Sequence, residues 1–422
     1  MSGYAPEEAW AREADACDPV GWGRTEFALP AGPDGAPLLY LCGNSLGLMP
    51  QRARALLDSE LADWARLGVE GHFAAQRPWY GYHAALREPL ARLVGALPHE
   101  VVAMNALTIN LHLLLVSFYR PAGRRVKVLI EEAAFPSDAY AVASHLEARG
   151  IGADAVMVAR PRPGESLLRI EDLEALLAER GSEIAVVWLG AVHYYTGQLL
   201  ALERLSRAAR AAGCVVGFDL AHAAGNVPLQ LHAWEVDFAV WCSYKYLNAG
   251  PGAVAGCFVH ERHHAAVLPR FAGWWGNDPA TRFQMQSRPV FVPVAGADGW
   301  QVSNPPILAL APLLASLELF DRAGMAALRE KSERLTGYLA FLVEGLSGIS
   351  LLTPRDPAAR GCQLSLRVDR GAEDLVAALR ARGAVTDYRE PDVVRAAPVP
   401  LYNTFHEVWR FAQILGELLA RR

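Results

Sequence analysis

The sequence predicts an α/β protein with a large domain built on a mostly parallel sheet and a smaller α/β domain after it. Short β-rich runs alternate with helical patterns from about residue 100 to 260, and one strand–helix–strand unit closes within that region. The pattern then changes beyond Asn304-Pro305-Pro306. A parallel sheet of this kind is covered by helices on both faces, because its crossover connections place them there.

The strand–helix–strand unit begins with the apolar run Ile184–Leu189. Leu199–Ala212 then repeats apolar residues at helical spacing, and Gly213 ends the repeat. The next apolar run, Cys214–Phe218, is typical of a second strand. Further strands of the same domain are predicted at Arg125–Glu131, Asp237–Cys242 and Gly256–His260.

The C-terminal third predicts a smaller domain. Helical periodicity dominates from Leu308 to Leu346, followed by a strand at Gln363–Val368 and a helix at Ala372–Arg382. The last helix begins at Phe405, after a T-x-x-E capping box at 404–407. The Pro- and Gly-rich start, Leu29–Pro50, is predicted to be extended and to pack against this domain. We therefore predict an N-terminal segment, a large cofactor-binding domain, a connecting helix and a small domain, over residues 1–58, 59–304, 305–332 and 333–422.

Composition excludes several classes of function. Hydrophobic residues make up 52% of the chain and charged residues 20%, as in globular proteins. The formal net charge of −5, without a basic run, argues against nucleic acid as a partner. Met1–Asp18 lacks the apolar core of a signal peptide, and the apolar runs are too short to cross a membrane. We expect a soluble, cytoplasmic protein.

Cysteines and histidines do not predict a metal site. No C-x-x-C pair is present, and several cysteines lie in apolar runs, so buried free thiols are expected. His263-His264 and the other histidines outside the motifs below lack ligand spacing and are expected at the surface. The six cysteines are Cys17, Cys42, Cys214, Cys242, Cys257 and Cys362.

Two charged residues follow neighbouring strands of the predicted sheet. Asp219 ends one apolar run, and Lys245 comes just after the next. Because ligands of open α/β sheets bind outside the carboxyl ends of the strands, both side chains are expected in one crevice. A lysine there can bond covalently to the aldehyde of pyridoxal phosphate, and a carboxylate can keep its pyridine nitrogen protonated. The pair predicts a pyridoxal-phosphate enzyme, although each residue alone is common at a strand end.

Two proline-containing turns support this crevice. Gly250-Pro251-Gly252 predicts a sharp turn that lets a cofactor approach. Phe135-Pro136-Ser137-Asp138 follows a predicted strand and brings an aromatic ring and a hydroxyl to the same edge. It is also compatible with an ordinary turn in which Ser137 caps a helix over Asp138–Arg149. A capped helix N-terminus is itself a phosphate site.

Further motifs extend from Leu41 to Phe405. On these motifs the sequence resembles the kynureninase family, in the class V branch of fold-type I pyridoxal-phosphate enzymes. The aspartate and lysine are shared widely in that fold, whereas N-A-L-T, S-N-P-P and R-x-A-P-V-P-L-Y-N are more selective. The motifs are L-C-G-N-S-L-G at 41–47, R-P-W at 77–79, N-A-L-T-I-N-L-H at 105–112, F-P-S-D at 135–138, Y-T-G-Q at 195–198, D-L-A-H at 219–222, S-Y-K-Y at 243–246, G-W-W-G at 273–276, S-N-P-P at 303–306 and R-A-A-P-V-P-L-Y-N at 395–403.

The resemblance implies a transferase-like fold of type I and hydrolysis of the Cβ–Cγ bond of L-kynurenine or its 3-hydroxy form. The products would be anthranilate, or 3-hydroxyanthranilate, and L-alanine, in tryptophan catabolism by the kynurenine pathway. Whether that pathway leads to NAD biosynthesis or to degradation stays open. The resemblance also implies a homodimer with shared active sites.

Residue roles follow from the same resemblance. Lys245 would carry the cofactor and move the substrate α-proton, Tyr244 would reach the phosphate and serve as an acid or base, and Arg395 would clamp the α-carboxylate. Trp274 would contact the phosphate of the neighbouring subunit. The other implied cofactor contacts are Leu107 and Thr108 at the phosphate, Phe135 on the pyridine ring, Pro136, Ser137 and Asp138 nearby, Asp219 at the ring nitrogen, His222 at a polar edge, and Asn304.

His72, Ser303 and Asn304 bear on the substrate. A histidine before R-P-W and an asparagine in S-N-P-P resemble the kynureninases that prefer 3-hydroxykynurenine, so we expect that preference.

Taken singly, several of the residues named above have ordinary alternatives: Phe135 and Trp274 as core aromatics, His222 as a buried histidine and Arg395 in an ion pair. Rival functions are another class V enzyme, such as an aminotransferase, β-lyase or cysteine desulfurase, and a non-catalytic protein of the same fold.

Overall fold

The computed structural model describes residues 3–422, so Met1 and Ser2 of the predicted N-terminal segment lie outside the described residues. The helices are α1 Glu8–Ala16, α2 Gln51–Leu67, α3 Gly71–Ala74, α4 Arg87–Val94, α5 Leu107–Phe118, α6 Pro136–Ala148, α7 Ile170–Arg180, α8 Leu202–Ala211, α9 Ile307–Ala323, α10 Met325–Val343, α11 Ala372–Ala381 and α12 Phe405–Ala420. The strands are β1 Phe27–Ala28, β2 Leu39–Tyr40, β3 Met49–Pro50, β4 Val101–Ala103, β5 Lys127–Glu131, β6 Val156–Ala159, β7 Ile184–Gly190, β8 Val215–Asp219, β9 Phe238–Trp241, β10 Gly256–Val259, β11 Ile349–Leu351, β12 Leu364–Val368, β13 Ala384–Val385, β14 Asp387–Arg389 and β15 Val393–Ala396.

A seven-stranded sheet forms the centre of the large domain, in the order β4-β10-β9-β8-β7-β5-β6. Strands β5 to β9 pair in parallel, and β10 runs antiparallel to both of its neighbours. Strand β7 is apolar throughout because its alternate side chains enter hydrophobic cores on opposite faces: Val187 and Leu189 enter one, Val186 and Trp188 the other. The predicted mostly parallel α/β fold is confirmed.

The small domain contains a four-stranded antiparallel sheet in the order β11-β12-β15-β14. Its core includes Leu335, Leu364 and Phe405, and also takes in Ala11 and Leu41 from the start of the chain. Strand β2 from that start pairs in parallel with β13. The predicted capping box at 404–407 begins α12, with hydrogen bonds in both directions. The three boundaries between the four predicted segments stay predictions.

Three details differ from the expectations. The helical stretch from 308 to 346 is divided into α9 and α10 at Gly324, whose positive φ of 74° ends the first helix. Cys17 is exposed, while the other five thiols are buried and free as expected. The histidines outside the motifs are not all at the surface as expected. His83, His145 and His260 are buried. His263 and His264 are half-buried, because His263 Nε2 lies 2.7 Å from Asp237 Oδ1 and His264 Nε2 lies 2.9 Å from a backbone carbonyl.

Across residues 3–422, no helix combines the length and the apolar character that crossing a lipid bilayer requires.

Candidate active site

The carboxyl ends of the parallel strands bring Asp219 and Lys245 to one edge of the sheet. Asp219 is the last residue of β8, and Lys245 lies in the loop that follows the adjacent strand β9. Both side chains are buried. Gly47 lies directly against this loop, because a Cβ there would come within 2.3 Å of the Lys245 carbonyl oxygen. After the loop, Gly250 and Gly252 both adopt positive φ, as the predicted sharp turn requires.

His222 contacts the lysine directly: its Nε2 lies 3.0 Å from Lys245 Nζ. Burial, followed by the charges of Lys245 and Arg395, holds the pKa of His222 well below its ordinary value, so the ring is neutral. A neutral ring that accepts the ammonium hydrogen bond on Nε2 carries its proton on Nδ1. Among the described residues, Nδ1 has no hydrogen-bond partner. Its buried N–H group is therefore able to donate to a ligand.

Asp219 and Asp138 form a buried pair of carboxyl groups. Burial raises the pKa of Asp219 and the lysine opposes that rise, while Ala221 N donates to Asp219 Oδ1 at 2.7 Å. Burial and the neighbouring carboxylates raise the pKa of Asp138 well above its ordinary value. Trp188 Nε1 donates to Asp138 Oδ2 at 3.1 Å, and Asp138 Oδ1 has no hydrogen-bond partner among the described residues.

A third carboxyl group, Glu131, ends strand β5 beside this pair. Burial raises the pKa of Glu131 to about 7, and the charge of Asp219 adds to the rise. Gly190 N donates to Glu131 Oε1 at 3.1 Å. Sequence reasoning missed Glu131 and Trp188. The strand-end rule that found Asp219 also applies to Glu131, whereas the contact of Trp188 depends on the packing of α6 against β7.

Helices α5 and α6 begin side by side at the other end of the crevice. Thr108 and Ser137, each the second residue of its helix, form a hydrogen bond of 2.8 Å between their hydroxyls. The expectation that Ser137 caps α6 is wrong, because Phe135 is the N-cap residue and no side chain caps this helix. The first-turn N–H groups of α5, which starts at Leu107, also lack a side-chain cap. Two such helix ends attract a phosphate group.

Two aromatic rings line the crevice near the lysine. Lys245 Nζ lies 5.7 Å from the ring centre of Phe135 and 5.9 Å from that of Tyr244. Phe135 is partly exposed, and its ring meets Tyr194 edge-on at 5.4 Å. Burial raises the pKa of Tyr244, so its phenol stays protonated and can donate a hydrogen bond. We call Thr108, Phe135, Ser137, Asp138, Asp219, His222, Tyr244 and Lys245 together the crevice.

Arg395 lies on β15 in the small domain and is 1% exposed. Its Nε donates to Asp387 Oδ1 at 2.6 Å, Nη2 donates to Asp387 Oδ2, and Nη1 donates to the carbonyl of Tyr194 at 2.7 Å. The charge of Arg395 contributes to the low pKa of His222, so its guanidinium lies near the crevice.

The remaining predicted residues belong to a different surface. The ring of His72 lies 5.5 Å from Trp79, and Trp274 packs against Trp275 and Phe283. Tyr80 joins these contacts through Trp275 and Phe283. Ser303 and Asn304 are exposed and follow Val302, whose carbonyl accepts from Trp275 N. We call His72, Trp79, Tyr80, Trp274, Trp275 and Phe283 the aromatic face.

One cluster outside the crevice contains groups that can bind metals: ligand atoms of Glu100, His232 and His260 all lie within 4.8 Å of one another. The Glu100 carboxylate already accepts hydrogen bonds from Leu97 N and Glu261 N and lies 3.0 Å from His232 Nδ1. These contacts account for its buried charge as a hydrogen-bond network.

Known proteins share this fold and sequence. A cysteine desulfurase from Escherichia coli has 18% sequence identity and a TM-score of 0.78, covering 95% of this chain and 98% of its own. A structure of C-DES with glycine covalently linked to its pyridoxal-phosphate cofactor has 20% identity and a TM-score of 0.77, covering 94% of this chain and 98% of its own. The model of the kynureninase C-terminal domain matches residues 328–415. Curated proteins named kynureninase are 56% identical, from Myxococcus xanthus over 98% of this chain and 97% of theirs, and from Salinispora tropica over 97% of both.

The fold and the crevice define a pyridoxal-phosphate-dependent enzyme of fold type I. The chain belongs to the kynureninase family, hydrolases that act on a carbon–carbon bond of kynurenine. Its residues fit the cofactor: uncapped helix ends suit a phosphate, and a buried carboxylate suits a ring nitrogen. The unpartnered Nδ1 of His222 and the buried lysine suit the ring's polar substituents.

Proposed function

We propose that the protein hydrolyses the Cβ–Cγ bond of L-kynurenine and of 3-hydroxy-L-kynurenine, releasing L-alanine and anthranilate or 3-hydroxyanthranilate, with the 3-hydroxy form as the better substrate. The observation that carries this proposal is the buried Lys245 amine, 3.0 Å from a neutral His222 and beside the carboxylate of Asp219. In the family to which the chain belongs, this arrangement supports Lys245 as the covalent attachment point of the cofactor.

Bound in the crevice, pyridoxal phosphate would supply a pyridine ring that withdraws electrons from the substrate α-carbon. Asp219 would hold a proton on the ring nitrogen, and His222 Nδ1–H would bind the ring's polar edge. Once its amine is free, Lys245 would accept the α-proton at Nζ. Tyr244, whose phenol stays protonated, would hydrogen-bond the phosphate and can return a proton to the departing product.

The phosphate and the substrate would be held at opposite ends of the crevice. The uncapped N-termini of α5 and α6, with Leu107, Thr108, Pro136 and Ser137, would bind the phosphate. Phe135 would stack on the ring. Arg395 would receive the α-carboxylate, because a guanidinium matches a carboxylate in shape and charge.

The proposed assembly is a homodimer in which the aromatic face completes the partner's crevice. Phe283 on this face and Phe73 beside it are 60% and 63% exposed, and neighbouring exposed apolar side chains of this size are typical of protein contact surfaces. Trp274 would then contact the phosphate held by the other subunit. Asn304 would contact cofactor and substrate there, beside His72 and Ser303.

The experiment that tests the reaction combines a spectrum with an assay. The purified protein, supplied with pyridoxal phosphate, should gain visible absorption from the bound cofactor and then convert L-kynurenine into fluorescent anthranilate with an equal amount of alanine. Cofactor absorption without anthranilate would overturn the proposal. In that case, sulfide released from added L-cysteine in the presence of a thiol reductant would favour a β-lyase if pyruvate accompanies it, or a desulfurase if alanine does. Transfer of the kynurenine amine to an added 2-oxo acid would favour an aminotransferase.

The preference for 3-hydroxykynurenine rests on His72 and Asn304 and has its own test. The ratio of kcat/KM for the two substrates should favour the hydroxylated one, and His72→Phe should reduce that ratio about tenfold by removing a hydrogen-bonding group. A wild-type ratio that clearly favours kynurenine would contradict the proposed preference.

The proposed cellular setting is tryptophan catabolism in the cytoplasm, supported by six cysteines that are all free in the described chain.

A further inference from the structure

Asp387 and Arg395 contact each other because of their positions in the small-domain sheet. They lie directly opposite on the antiparallel strands β14 and β15. Side chains of residues paired in this way project from the same face at about 5 Å between Cβ atoms. Both are shielded from solvent, since the arginine side chain is 1% exposed and that of the aspartate 16%. The sheet register itself therefore brings the carboxylate to the guanidinium.

The contact fixes one edge of the guanidinium. Asp387 accepts from Nε and Nη2 in a bidentate pair, and the Tyr194 carbonyl accepts from Nη1 at 2.7 Å. The fully buried side chain of Asn44 packs beside the same Nε and Nη2 edge. Each terminal nitrogen carries a second N–H group that these contacts do not use. Rotation of the guanidinium would break three hydrogen bonds, so its remaining donors point in a fixed direction.

A second arginine makes the charge of Asp387 important. Arg389 Nη2 lies 3.1 Å from Asp387 Oδ2, so one carboxylate is shared by two guanidinium groups. The local net charge stays positive, which favours an anionic ligand. Burial, followed by the charge of Arg395, lowers the pKa of Arg389 from its ordinary value, which indicates that the two cations are close. Without the carboxylate they would repel each other in a poorly solvated place.

We propose that Asp387 is a positioning residue for substrate binding: it holds Arg395 so that the unused N–H groups of Nη1 and Nη2 receive the substrate α-carboxylate. The inference rests on the proposed role of Arg395 and deepens it. A guanidinium that is ordered before binding loses less conformational freedom when the substrate arrives. Asp387 therefore acts on affinity for the carboxylate and touches no reacting atom.

The test compares aspartate variants in the enzyme loaded with pyridoxal phosphate. Asp387→Ala should raise KM for L-kynurenine about 10- to 100-fold while kcat changes less than about threefold, because a misplaced group mainly weakens recognition. Asp387→Asn, which keeps one oxygen acceptor, should lie between Ala and wild type. Titration with L-alanine, monitored through the absorption of the bound cofactor, should give dissociation constants that increase from wild type through Asp387→Asn to Asp387→Ala.

The matched control is Asp172→Asn. Asp172 forms the same side-on bidentate pair with Arg162, at 2.8 and 2.7 Å, on the exposed surface of the large domain. This variant should leave KM and kcat unchanged. Thermal unfolding of each variant separates a loss of fold from a loss of affinity, and the nearly isosteric Asn variant keeps the test available if the Ala variant does not fold.

Two results would overturn the inference: an unchanged KM in folded Asp387→Asn and Asp387→Ala, or a lower KM, which would mean that Asp387 competes with substrate for the arginine. Arg395→Gln distinguishes this failure from a failure of the proposed function. If Arg395→Gln raises KM and the Asp387 variants do not, only the positioning role is lost. If Arg395→Gln leaves KM unchanged, or the wild type does not cleave kynurenine, the underlying proposal fails.

Discussion

The crevice and the aromatic face differ in how completely one chain builds them. In the crevice, Asp219, His222 and Lys245 are each at least nine-tenths buried. Lys245 Nζ and His222 Nε2 face each other, and His222 Nδ1 has no partner in the described chain. On the aromatic face, most of the rings pack edge to face, and Phe283 stays 60% exposed. Buried unpartnered polar groups indicate a small ligand, whereas exposed packed rings indicate a protein surface.

The difference agrees with the proposed homodimer, in which one chain supplies the acid–base groups and a second chain completes the binding site. The crevice groups come from the ends of β5, β8 and β9 and the starts of α5 and α6. Their places are fixed by the sheet. The aromatic face, in contrast, is held together by side chains from short helical turns and loops at 71–86 and 273–284. We therefore expect substitutions in the crevice to abolish catalysis by the same chain. A chain substituted on the aromatic face should still work at its own crevice when a second subunit has an intact aromatic face.

The largest effect is expected from Lys245→Ala. Removing the amine should abolish the visible absorption of covalently bound cofactor and lower kcat at least about 10³-fold, because both the attachment point and the base for the α-proton are lost. Absorption spectra and the anthranilate assay measure the two effects. Lys127→Ala, a lysine paired with Glu183 on the surface side of the sheet, is the control. Retained activity in Lys245→Ala would refute the role of the lysine.

The next-largest effect distinguishes the role of Asp219 from that of Asp138 in the buried pair. Asp219→Asn should lower kcat about 10²-fold or more, because an amide cannot hold a proton on the ring nitrogen. Asp138→Asn should change kcat much less, since burial and the neighbouring carboxylates raise the pKa of Asp138 and so favour its neutral form, which a neutral amide resembles. Single-turnover rates for the two variants measure this. Equal losses would mean that Asp138 works as a charged group.

Mixing two inactive variants tests whether the aromatic face serves the partner's crevice. Lys245→Ala and Trp274→Ala chains, coexpressed with different affinity tags and purified through both, should recover about half of the wild-type activity per dimer, because one of two sites is then intact. Each variant purified alone should be nearly inactive. No recovery in a dimer of confirmed composition would place Trp274 and Lys245 in the same site of one chain.

The positions of strands and of strand-end residues could be predicted from the sequence, whereas the contacts between distant elements could not. Apolar strands such as β7 and strand-end groups such as Asp219 follow from local pattern, and the structure has both. Long-range contacts did not follow: the pairing of Asp387 with Arg395 depends on sheet register, and Thr108 meets Ser137 only because two helices start together. The hydroxyl of Ser137, which was expected to cap its own helix, therefore forms a hydrogen bond with Thr108 of the neighbouring helix.

The smallest effect concerns Glu131, whose pKa is raised from 4.5 to about 7 by burial. Between these values the unfolded chain has released a proton that the folded chain keeps, so stability falls as pH rises through this window. Glu131→Gln cannot titrate and should become more stable than wild type above pH 7, by up to about 3 kcal/mol. Urea unfolding of the cofactor-free protein at pH 5 and pH 8 measures this, with the exposed Glu132→Gln as control. The same pH dependence in Glu131→Gln and wild type would mean that the glutamate is ionised in the fold, beside the buried pair of Asp138 and Asp219.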